Sequence, residues 1–343
     1  MKSKPSPRST SLYFLVRCCL LASALVLVAC GGAGETATGG AGGSAGDQAA
    51  GGAGSQDGAV SELVLLHWNV DFLWDGVAPE DGEADLDFPW RGSPEKAEAH
   101  MEEIAQTLRR VDADLVNLSE VEGEAALELF VDRHLPGMGY RPYLVEGTDT
   151  ATGQDVALLS RYELQSFGRD PRRGRSGSTR KAVSKNYVGT MNLDTKAGKL
   201  RLGLVSLHLL AGPTRSNRVE PREAQADAIR SMAVELAGQN REMIVWGDFN
   251  DFDGALDDAK SSRPITRVLE WVRAMDADDP ADDLENALEE VKRSDRYTSR
   301  GRYRNAIDHV LLSPRLAAAI TSVEVLHDAP GSGHSPIVVR LAF

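Results

Sequence analysis

Cysteine is almost absent from this sequence. The 343 residues contain three cysteines, Cys18, Cys19 and Cys30, and none follows residue 30. A domain formed by the later residues therefore has no disulfide and no thiolate metal site, so its stability must come from a hydrophobic core. The apolar run at residues 18–29 is too short to span a bilayer as a helix.

Positive charge is also scarce. The chain has 38 lysine and arginine residues against 51 aspartate and glutamate residues, which gives a formal net charge of −13. This balance disfavours a protein that coats nucleic acid by neutralising many phosphates. The charge balance does not exclude an enzyme that binds phosphate groups through a metal ion.

The first 60 residues are not expected to belong to the folded domain. Residues 1–17 contain basic side chains without an acid, and the apolar run follows them, so residues 1–29 are predicted to be a signal peptide. The run ends in Leu-Val-Ala-Cys, which resembles the lipobox of bacterial lipoproteins and implies lipidation of Cys30. Ordinary secretion with cleavage after a small residue is the alternative. Residues 30–60 are rich in glycine, alanine and serine and predict a flexible tether.

The signal-peptide prediction has a consequence for location. With Cys30 lipidated, we expect an exported protein anchored in a membrane of the bacterial cell envelope, with its catalytic domain outside the cytoplasm. The expected partners are the membrane, through the anchor, and the substrate. No protein partner is inferred.

Residues 61–343 alternate between predicted strands and predicted helices. Apolar residues at helical spacing predict amphipathic helices at 94–111, 222–236 and 265–275, the first capped by Ser93 and starting at Pro94. Short apolar runs predict strands at residues 63–69, 115–118, 156–159, 200–207, 243–246, 307–312 and 337–341. The alternation favours one layered α/β domain with sheets inside and helices outside. The acidic residues 276–290 are predicted to be a solvent-exposed excursion.

Polar side chains that bind metal ions or move protons follow several of these apolar runs. Asn69, Glu120, His208 and Asp248 each stand at the carboxyl end of a run, so we expect them to converge on one rim. Asp248 and Asn250 are two residues apart and share a face of an extended segment. Carboxylate and amide oxygens of this kind are ligands suited to Mg²⁺, Mn²⁺ or Ca²⁺.

The order of these motifs resembles that of the endonuclease/exonuclease/phosphatase superfamily, which includes DNase I-like nucleases and bacterial sphingomyelinases. From about residue 63 to residue 343 the motifs are Trp-Asn-Val, Ser-Glu-Val-Glu, Asp-Val-Ala-Leu-Leu-Ser-Arg, Ser-Leu-His-Leu, Arg-Glu-Ala-Gln-Ala, Gly-Asp-Phe-Asn-Asp, Ile-Asp-His-Val-Leu-Leu-Ser and Gly-His-Ser-Pro. The resemblance implies a four-layer α/β sandwich, with two central mixed β-sheets flanked by helices. It also implies a cleft at one edge, where a metal ion and the scissile phosphate meet.

The resemblance implies a role for each polar residue. Glu120 is the principal metal ligand with Asn69 beside it, and Mg²⁺ is the expected ion, with Mn²⁺ or Ca²⁺ as alternatives. Asp248 orients or deprotonates the attacking water, and Asn250 holds a phosphate oxygen. These assignments predict a metal-dependent phosphodiester hydrolase.

Two histidines complete the implied site. His208 and His334 correspond to the histidine pair of the family, and an aspartate resembling Asp308 orients the second and fixes its tautomer. Protonated imidazoles and a metal ion supply the positive charge that hydrolysis needs on the phosphate oxygens. The remaining histidines are assigned structural roles: His67, His100, His134, His309 and His327.

One position departs from the family pattern. The family usually has aspartate immediately before its last histidine, whereas this chain has Gly333 before His334. The departure could weaken the metal site, be compensated by a neighbour such as Asp328, or signal reduced activity. The sequence leaves these alternatives open.

A basic segment stands out in the acidic chain. Residues 169–185 carry five arginines and two lysines against a single acid, Asp170. The segment could hold a nucleic-acid backbone beside the cleft, or it could be a loop that faces solvent or lipid headgroups. We assign substrate binding to Arg180 in this segment and to Arg161.

The leading hypothesis is an exported nuclease that cleaves DNA, or RNA, by in-line attack of an activated water. The segment Gly-Thr-Asp-Thr-Ala-Thr-Gly-Gln-Asp and the Arg-Glu-Ala-Gln-Ala helix look closer to secreted bacterial nucleases of the family than to its lipid-cleaving branch. The alternatives are a sphingomyelinase-like phospholipid phosphodiesterase or a phosphatase. A surface binding module that has lost turnover is the alternative from another class.

Overall fold

A computed structural model of the chain describes residues 59–77, 92–148, 152–276 and 278–343. The predicted signal peptide, Cys30 and most of the predicted tether lie outside the described residues and remain predictions. In the part of the chain that the structure describes, no helix combines the length and the apolar character required to cross a membrane.

The described residues form fourteen strands and five α-helices. The strands are β1 (Glu62–Leu73), β2 (Leu115–Val121), β3 (Arg141–Leu144), β4 (Asp155–Ser160), β5 (Ser166–Gly168), β6 (Arg173–Ser176), β7 (Thr179–Ala182), β8 (Lys185–Thr195), β9 (Gly198–His208), β10 (Glu242–Asp248), β11 (Glu285–Asn286), β12 (Asp308–Leu312), β13 (Ile320–Val325) and β14 (Ile337–Ala342). The helices are α1 (Pro94–Val111), α2 (Glu124–His134), α3 (Val219–Ala237), α4 (Val268–Arg273) and α5 (Pro314–Ala317). Short 3₁₀ helices cover Ser216–Arg218, Pro280–Asp282, Ala287–Glu290 and Arg293–Asp295.

Twelve of these strands form two six-stranded sheets with matching layouts. The first sheet has the order β13-β14-β1-β2-β4-β3 and the second has the order β11-β12-β10-β9-β8-β5. In each sheet the central pair is parallel and the other neighbours are antiparallel. A parallel pair needs a crossover connection, which contains α1 in the first sheet and α3 in the second. The remaining strands, β6 and β7, form a separate hairpin.

Three apolar clusters define the layers. The first lies between the two sheets and includes Leu65, Leu158, Leu204 and Trp246. The second packs α1 and α2 on the outer face of the first sheet, and the third packs α3 and α4 on the outer face of the second. The layers are therefore helix, sheet, sheet and helix, which confirms the predicted four-layer α/β sandwich with two central mixed sheets.

The predicted bounds of single helices and loops agree with the structure in some places and differ in others. Helix α1 begins at Pro94 as predicted, although the side chain of Ser93 makes no capping hydrogen bond. The predicted helix at 265–275 is shorter and covers Val268–Arg273. The prediction of a solvent-exposed excursion at 276–290 is wrong for its second half, because Leu284 and Leu288 are buried in the core and β11 pairs with β12.

Candidate active site

Strand alternation brings the predicted site residues to one edge of the space between the sheets. In β1, Leu65 faces the core between the sheets, so Asn69 faces the same way. The same alternation in β9, β10 and β12 turns His208, Asp248 and Asp308 toward that space. Backbone pairing places His208 and Asp308 on either side of Asp248.

Glu120 reaches the same edge through an irregularity in β2. Asn69 pairs with Ser119, the register then shifts, and Glu120 is left without a partner residue in either neighbouring strand. Its φ is +69°, in the left-handed region that residues other than glycine rarely adopt. A bulge of this kind re-aims a side chain, and here it directs the carboxylate of Glu120 toward Asn69.

The amide of Asn69 joins two carboxylates. Its Nδ2 donates to Glu120 Oε1 and to Asp248 Oδ2, both at 3.1 Å. Its Oδ1 accepts from the backbone N–H of Asp71 at 3.1 Å. The other oxygen of Glu120, Oε2, accepts from Gln154 Nε2 at 2.7 Å. The carboxylates of Glu120 and Asp248 are therefore close enough to share one amide donor.

Asp248 is buried and held in one orientation. Its Oδ1 accepts from the backbone N–H of Asn250 at 2.7 Å. Asn250 itself has φ of +49°, and its Nδ2 donates to the carbonyl of Leu209 at 3.2 Å. Burial, and next the charge of Asp308, raises the pKa of Asp248 to about 8. Burial therefore favours the neutral carboxyl, and only its ionised form accepts a proton from water.

His208 faces both carboxylates without a hydrogen bond to either. Its Nε2 lies 3.6 Å from Asp248 Oδ2 and 3.9 Å from Glu120 Oε1. Within the described residues its buried Nδ1 has no hydrogen-bond partner. Burial, followed by the positive charge of Lys185, lowers the pKa of His208 to about 3. The ring is therefore neutral at physiological pH.

Asp308 and His334 form a close pair, as the resemblance implied. His334 Nδ1 donates to Asp308 Oδ2 at 2.7 Å. Burial lowers the pKa of His334, but the charge and hydrogen bond of Asp308, with the charges of Asp248 and Asp71, together outweigh burial and raise that pKa to about 10. The same contact holds the pKa of the Asp308 carboxyl well below its usual range, although burial opposes it. His334 is therefore a cation at physiological pH.

The donors at this edge fit a divalent metal ion. Burial, and next the charge of Asp71, raises the pKa of Glu120, and the pKa of Asp248 is also raised. Neighbouring buried carboxylates repel each other, and a divalent cation relieves that repulsion. Carboxylate and amide oxygens are hard ligands suited to Mg²⁺. Glu120 is the residue that would hold such an ion, and the Asn69 amide, whose oxygen accepts from Asp71, orients the Glu120 carboxylate.

A second group of candidate ligands is better explained as an ion-pair network. One oxygen or nitrogen atom from each of Asp248, Asp308 and His334 lies within 4.8 Å of the other two. The Nδ1 of His334 is engaged with Asp308, and the raised pKa keeps the ring protonated. A protonated imidazole has no lone pair to offer a metal ion. Glu120 therefore remains the predicted metal ligand, with Asn69 beside it.

Asp71 lies beside the glycine that replaces the family aspartate. Its Oδ2 accepts a hydrogen bond from the backbone N–H of Gly333, and an ideal Cβ on Gly333 would lie 2.9 Å from that oxygen. Asp71 therefore already supplies a carboxylate at this position. Asp328, the compensating neighbour considered from the sequence, instead pairs with Arg110 at 2.7 Å with its side chain 69% exposed. The structure does not support compensation by Asp328.

Arg161 does not join the cluster. It follows the end of β4 that pairs with the start of β2, whereas Glu120 stands at the other end of β2. Its guanidinium binds Asp112 and the carbonyl of Met138. The structure therefore places Arg161 at the edge of the first sheet opposite Glu120, and its assignment to substrate binding stays a prediction.

The basic segment contains a hairpin rather than a simple loop. Strands β6 and β7 pack on α3, and acidic side chains of that helix accept hydrogen bonds from the hairpin: Glu220, Glu223 and Asp227. Arg180 is exposed on β7, where it pairs with Arg175 of β6. Lys185 differs, because it starts β8 opposite His208 and its buried Nζ donates to Gln154 Oε1 at 3.1 Å.

The sequence analysis missed three residues that adjoin Glu120. Gln154 binds its carboxylate directly, while Lys185 and Asp71 act on it through their charge. Lys185 was counted only as one cation of the basic segment. The available signal for Asp71 was its position two residues after Asn69.

The fold and the site together define a hydrolase of phosphoester bonds. The chain belongs to the endonuclease/exonuclease/phosphatase family, whose sequence profile matches residues 66–330. Enzymes of this family are generally dependent on divalent metal ions. No curated protein sequence matches the chain significantly.

Solved structures show the same fold at low sequence identity. Truncated TDP2 from Caenorhabditis elegans is 16% identical with a TM-score of 0.52, covering 82% of this chain and 98% of that chain. The human nocturnin catalytic domain with a bound sulfate anion is 17% identical with a TM-score of 0.54, covering 82% and 94%. The 3′ phosphatase NExo from Neisseria, bound to a product DNA hairpin, is 16% identical with a TM-score of 0.53, covering 82% and 100%.

Proposed function

We propose that the protein is an exported, metal-dependent nuclease that hydrolyses phosphodiester bonds of DNA, with RNA as the other candidate polymer. The observation that carries the proposal is the convergence of Glu120, Asp248, His208 and His334 at one edge of the sandwich. This set combines a metal-binding carboxylate, a proton acceptor, a neutral imidazole and a cationic imidazole. A binding module that has lost turnover would not need all four.

The residues divide the reaction between them. A divalent ion held by Glu120, with Asn69 beside it, would supply positive charge to the phosphate oxygens. Asp248 in its ionised form accepts a proton from the attacking water, and burial favours the neutral carboxyl that results. His334, as a cation, stabilises negative charge that develops on the phosphate, and neutral His208 orients or hydrogen-bonds an oxygen of the same group.

A basic and aromatic loop beside His334 supports nucleic acid as the substrate. Ser299 pairs with His334, and the following residues are exposed, with Tyr303 55% exposed. The guanidinium of Arg302 lies 4.8 Å from the centre of the Tyr303 ring, and Arg304 lies over the ring of Tyr297 at 5.0 Å. Arginines bind phosphates and aromatic rings stack on bases, so this loop suits a nucleic-acid strand next to the cleft.

The same loop fits a lipid substrate poorly. The exposed residues 301–304 of the loop are one glycine, two arginines and Tyr303, so they contain a single aromatic side chain. A segment that enters a membrane needs a larger apolar surface than a single tyrosine provides. The nuclease proposal is therefore preferred over a phospholipid phosphodiesterase.

The test is cleavage of supercoiled plasmid by the full-length protein in detergent, with Mg²⁺, with Mn²⁺ or with a chelator. We expect metal-dependent nicking that the chelator abolishes. Parallel reactions with single-stranded RNA and with phospholipid vesicles identify the preferred substrate. Cleavage of lipid but not of either nucleic acid would overturn the nuclease proposal while leaving the hydrolase site in place.

We also propose that the chain is a lipoprotein anchored through Cys30. The support is the basic and apolar leader followed by Leu-Val-Ala-Cys. In a bacterial host, the wild-type protein should partition into the membrane fraction and the Cys30→Ala variant should not. Mass spectrometry of the mature amino terminus should find a diacylglyceryl group on Cys30, and an unmodified terminus would refute the anchor.

A further inference from the structure

A buried chain of hydrogen bonds runs between the two sheets and ends at the catalytic pair. Trp246 Nε1 donates to the Tyr187 hydroxyl at 3.1 Å, and that hydroxyl donates to Asn117 Oδ1 at 2.9 Å. His67 Nδ1 lies 2.9 Å from Asn117 Nδ2, and His67 Nε2 lies 3.4 Å from Asp308 Oδ1. The chain therefore connects the sandwich interior to the carboxylate that binds His334.

The direction of each hydrogen bond in this chain is fixed from its far end. The indole of Trp246 can only donate, so the Tyr187 oxygen accepts and its own proton points to Asn117. A second hydroxyl, Ser206 Oγ, also donates to Asn117 Oδ1, at 2.7 Å. Two donors on one side of the Asn117 amide identify that side as oxygen, so the nitrogen must face His67.

The orientation of the Asn117 amide also decides which nitrogen of His67 donates. Asn117 Nδ2 donates to His67 Nδ1, which leaves Nε2 as the donor nitrogen. Nδ1 also lies 3.2 Å from the Asn117 carbonyl, but a neutral ring protonated there would turn a bare Nε2 toward the Asp308 carboxylate. Two lone pairs would then face each other. Donation from Nε2 to Asp308 Oδ1 is therefore the arrangement that satisfies both ends.

Both oxygens of the Asp308 carboxylate are consequently engaged. Oδ1 accepts from His67 and Oδ2 accepts from His334, and the side chains of Asp308 and His67 are 2% and 0% exposed. A carboxylate engaged on both sides is restricted in its rotation, so the direction of the bond to His334 depends on contacts within the sandwich. We propose that His67 is a positioning residue that aims the His334 imidazole at the cleft by fixing the carboxylate of Asp308.

This inference replaces the structural role that the sequence analysis gave to His67. In β1, Leu63 and Leu65 share its face and pack in the core between the sheets. An apolar side chain at residue 67 would extend that core, whereas a buried imidazole needs hydrogen-bond partners to offset its desolvation. The carboxylate that accepts from the His67 imidazole is that of Asp308, which belongs to the candidate active site.

The inference rests on the proposed hydrolytic function, and the experiment separates the two. The full-length protein and its variants are assayed with bis(p-nitrophenyl) phosphate and with plasmid, and the ring nitrogens of His334 are observed by NMR without substrate. His67→Leu should lower kcat roughly 10- to 100-fold with little change in KM, the size typical when a supporting hydrogen bond is lost. The His334 ring signals should shift or broaden in this variant.

Two further variants keep the test decisive. His67→Gln retains an N–H donor near the position of Nε2 and should recover a large part of the lost kcat. Tyr187→Phe keeps the buried ring and removes one link at the far end, so it should lower kcat less than His67→Leu does. Circular dichroism and thermal melting confirm that each variant is folded.

The outcomes are distinct. Wild-type kcat and unshifted His334 signals in folded His67→Leu would overturn the positioning role. Equal losses in the Leu and Gln variants would also overturn it, since shape rather than the donor would then matter. A wild-type protein that cleaves neither substrate would refute the proposed function, while the NMR comparison would still report whether His67 controls the His334 ring.

Discussion

The two histidines of the cleft lie in opposite electrostatic surroundings. His334 Nδ1 is 2.7 Å from a carboxylate oxygen of Asp308, and its pKa is raised to about 10. His208 Nε2 stays 3.6 Å from Asp248, and its pKa is lowered to about 3. Both rings are largely buried, at 16% and 7% exposure. Burial alone therefore does not decide the charge of a histidine here.

The difference shows whether burial or a neighbouring charge determines the pKa of each ring. Burial disfavours the charged imidazole in both places, and a carboxylate at hydrogen-bond distance is what reverses the outcome at His334. Beside His208 the second cause is Lys185, whose positive charge acts in the same direction as burial. One cleft thus presents a cationic imidazole and a neutral imidazole at the same pH, which is the division of roles that phosphoryl chemistry uses.

The largest effect is expected from His208→Ala. The neutral ring faces Asp248 and Glu120, so its loss should lower kcat about 10²- to 10⁴-fold, the range for a residue in proton transfer or transition-state hydrogen bonding. Stability should change little, because the variant also removes a buried Nδ1 that has no hydrogen-bond partner within the described residues. Steady-state kinetics and a thermal melt check both statements. Full activity in a folded variant would remove His208 from the mechanism.

The next largest effect is expected from Asp308→Asn, which makes the two histidines alike. Without the carboxylate, burial dominates and the pKa of His334 should fall below its ordinary value of 6.5. The ring should then be neutral at pH 7, and kcat should drop roughly 10²-fold or more. NMR titration of the ring checks the shift, and His208 should titrate as it does in the wild type.

The same substitution should change how stability depends on pH. The folded-state pKa of wild-type His334 is raised from 6.5 to about 10, so its contribution to stability is fully present below pH 6.5 and is lost as the pH rises through 10. Asp308→Asn should remove that alkaline loss. Urea unfolding at pH 7 and pH 10 makes the comparison, and an identical alkaline loss in both proteins would contradict the pairing.

A smaller effect is expected from Gly333→Asp, which adds a carboxylate next to His334. The new Cβ would lie 2.9 Å from Asp71 Oδ2, so the Asp71 side chain must move from a hydrogen bond that it already makes. We expect the variant to be several-fold less active than the wild type, because two acids compete for one position. The double variant Asp71→Gly with Gly333→Asp should relieve the conflict. Higher activity in the single variant would show that the position beside Gly333 lacks a carboxylate.

The smallest effect is expected from Arg161→Ala, which lies away from both histidines. The guanidinium binds Asp112 and backbone carbonyls at the opposite edge of the first sheet. Kinetic constants should be unchanged, and the free energy of unfolding should fall by about 1 kcal/mol, the scale of partly exposed ion pairs and hydrogen bonds. A raised KM for plasmid would return Arg161 to the substrate-binding residues.

The fold could be predicted from the sequence because the apolar runs and the order of the motifs indicate the same layered α/β architecture. The central strands are apolar runs that can be read locally, and the crossover helix α1 has both helical spacing and a proline at its first position. The hairpin of β6 and β7 could not be found this way. Its strands have almost no apolar residues, and they are ordered by hydrogen bonds to the acids of α3, which are distant in sequence.

Only part of the site was predicted from the sequence. The prediction assumed that the carboxyl ends of all strands meet at one edge, which is true of parallel strands alone. Strands β1, β2, β9 and β10 bring their carboxyl ends to the cleft. Strand β4 is antiparallel to β2, so its first residues lie at the cleft and its last residues lie at the far edge. Gln154 was therefore missed, and the position of Arg161 at the far edge was not foreseen. Strand direction is a property of the sheet and cannot be read from one segment.

The left-handed conformation of Glu120 has a consequence for protein engineering. A residue other than glycine at φ of +69° carries conformational strain, of order 1–2 kcal/mol for the left-handed region. Glycine at this position would release the strain and would also remove the predicted metal ligand. Directed evolution that selects for heat resistance alone would therefore enrich inactive variants with glycine at position 120. A library based on this protein must be screened for turnover and thermal stability in the same round.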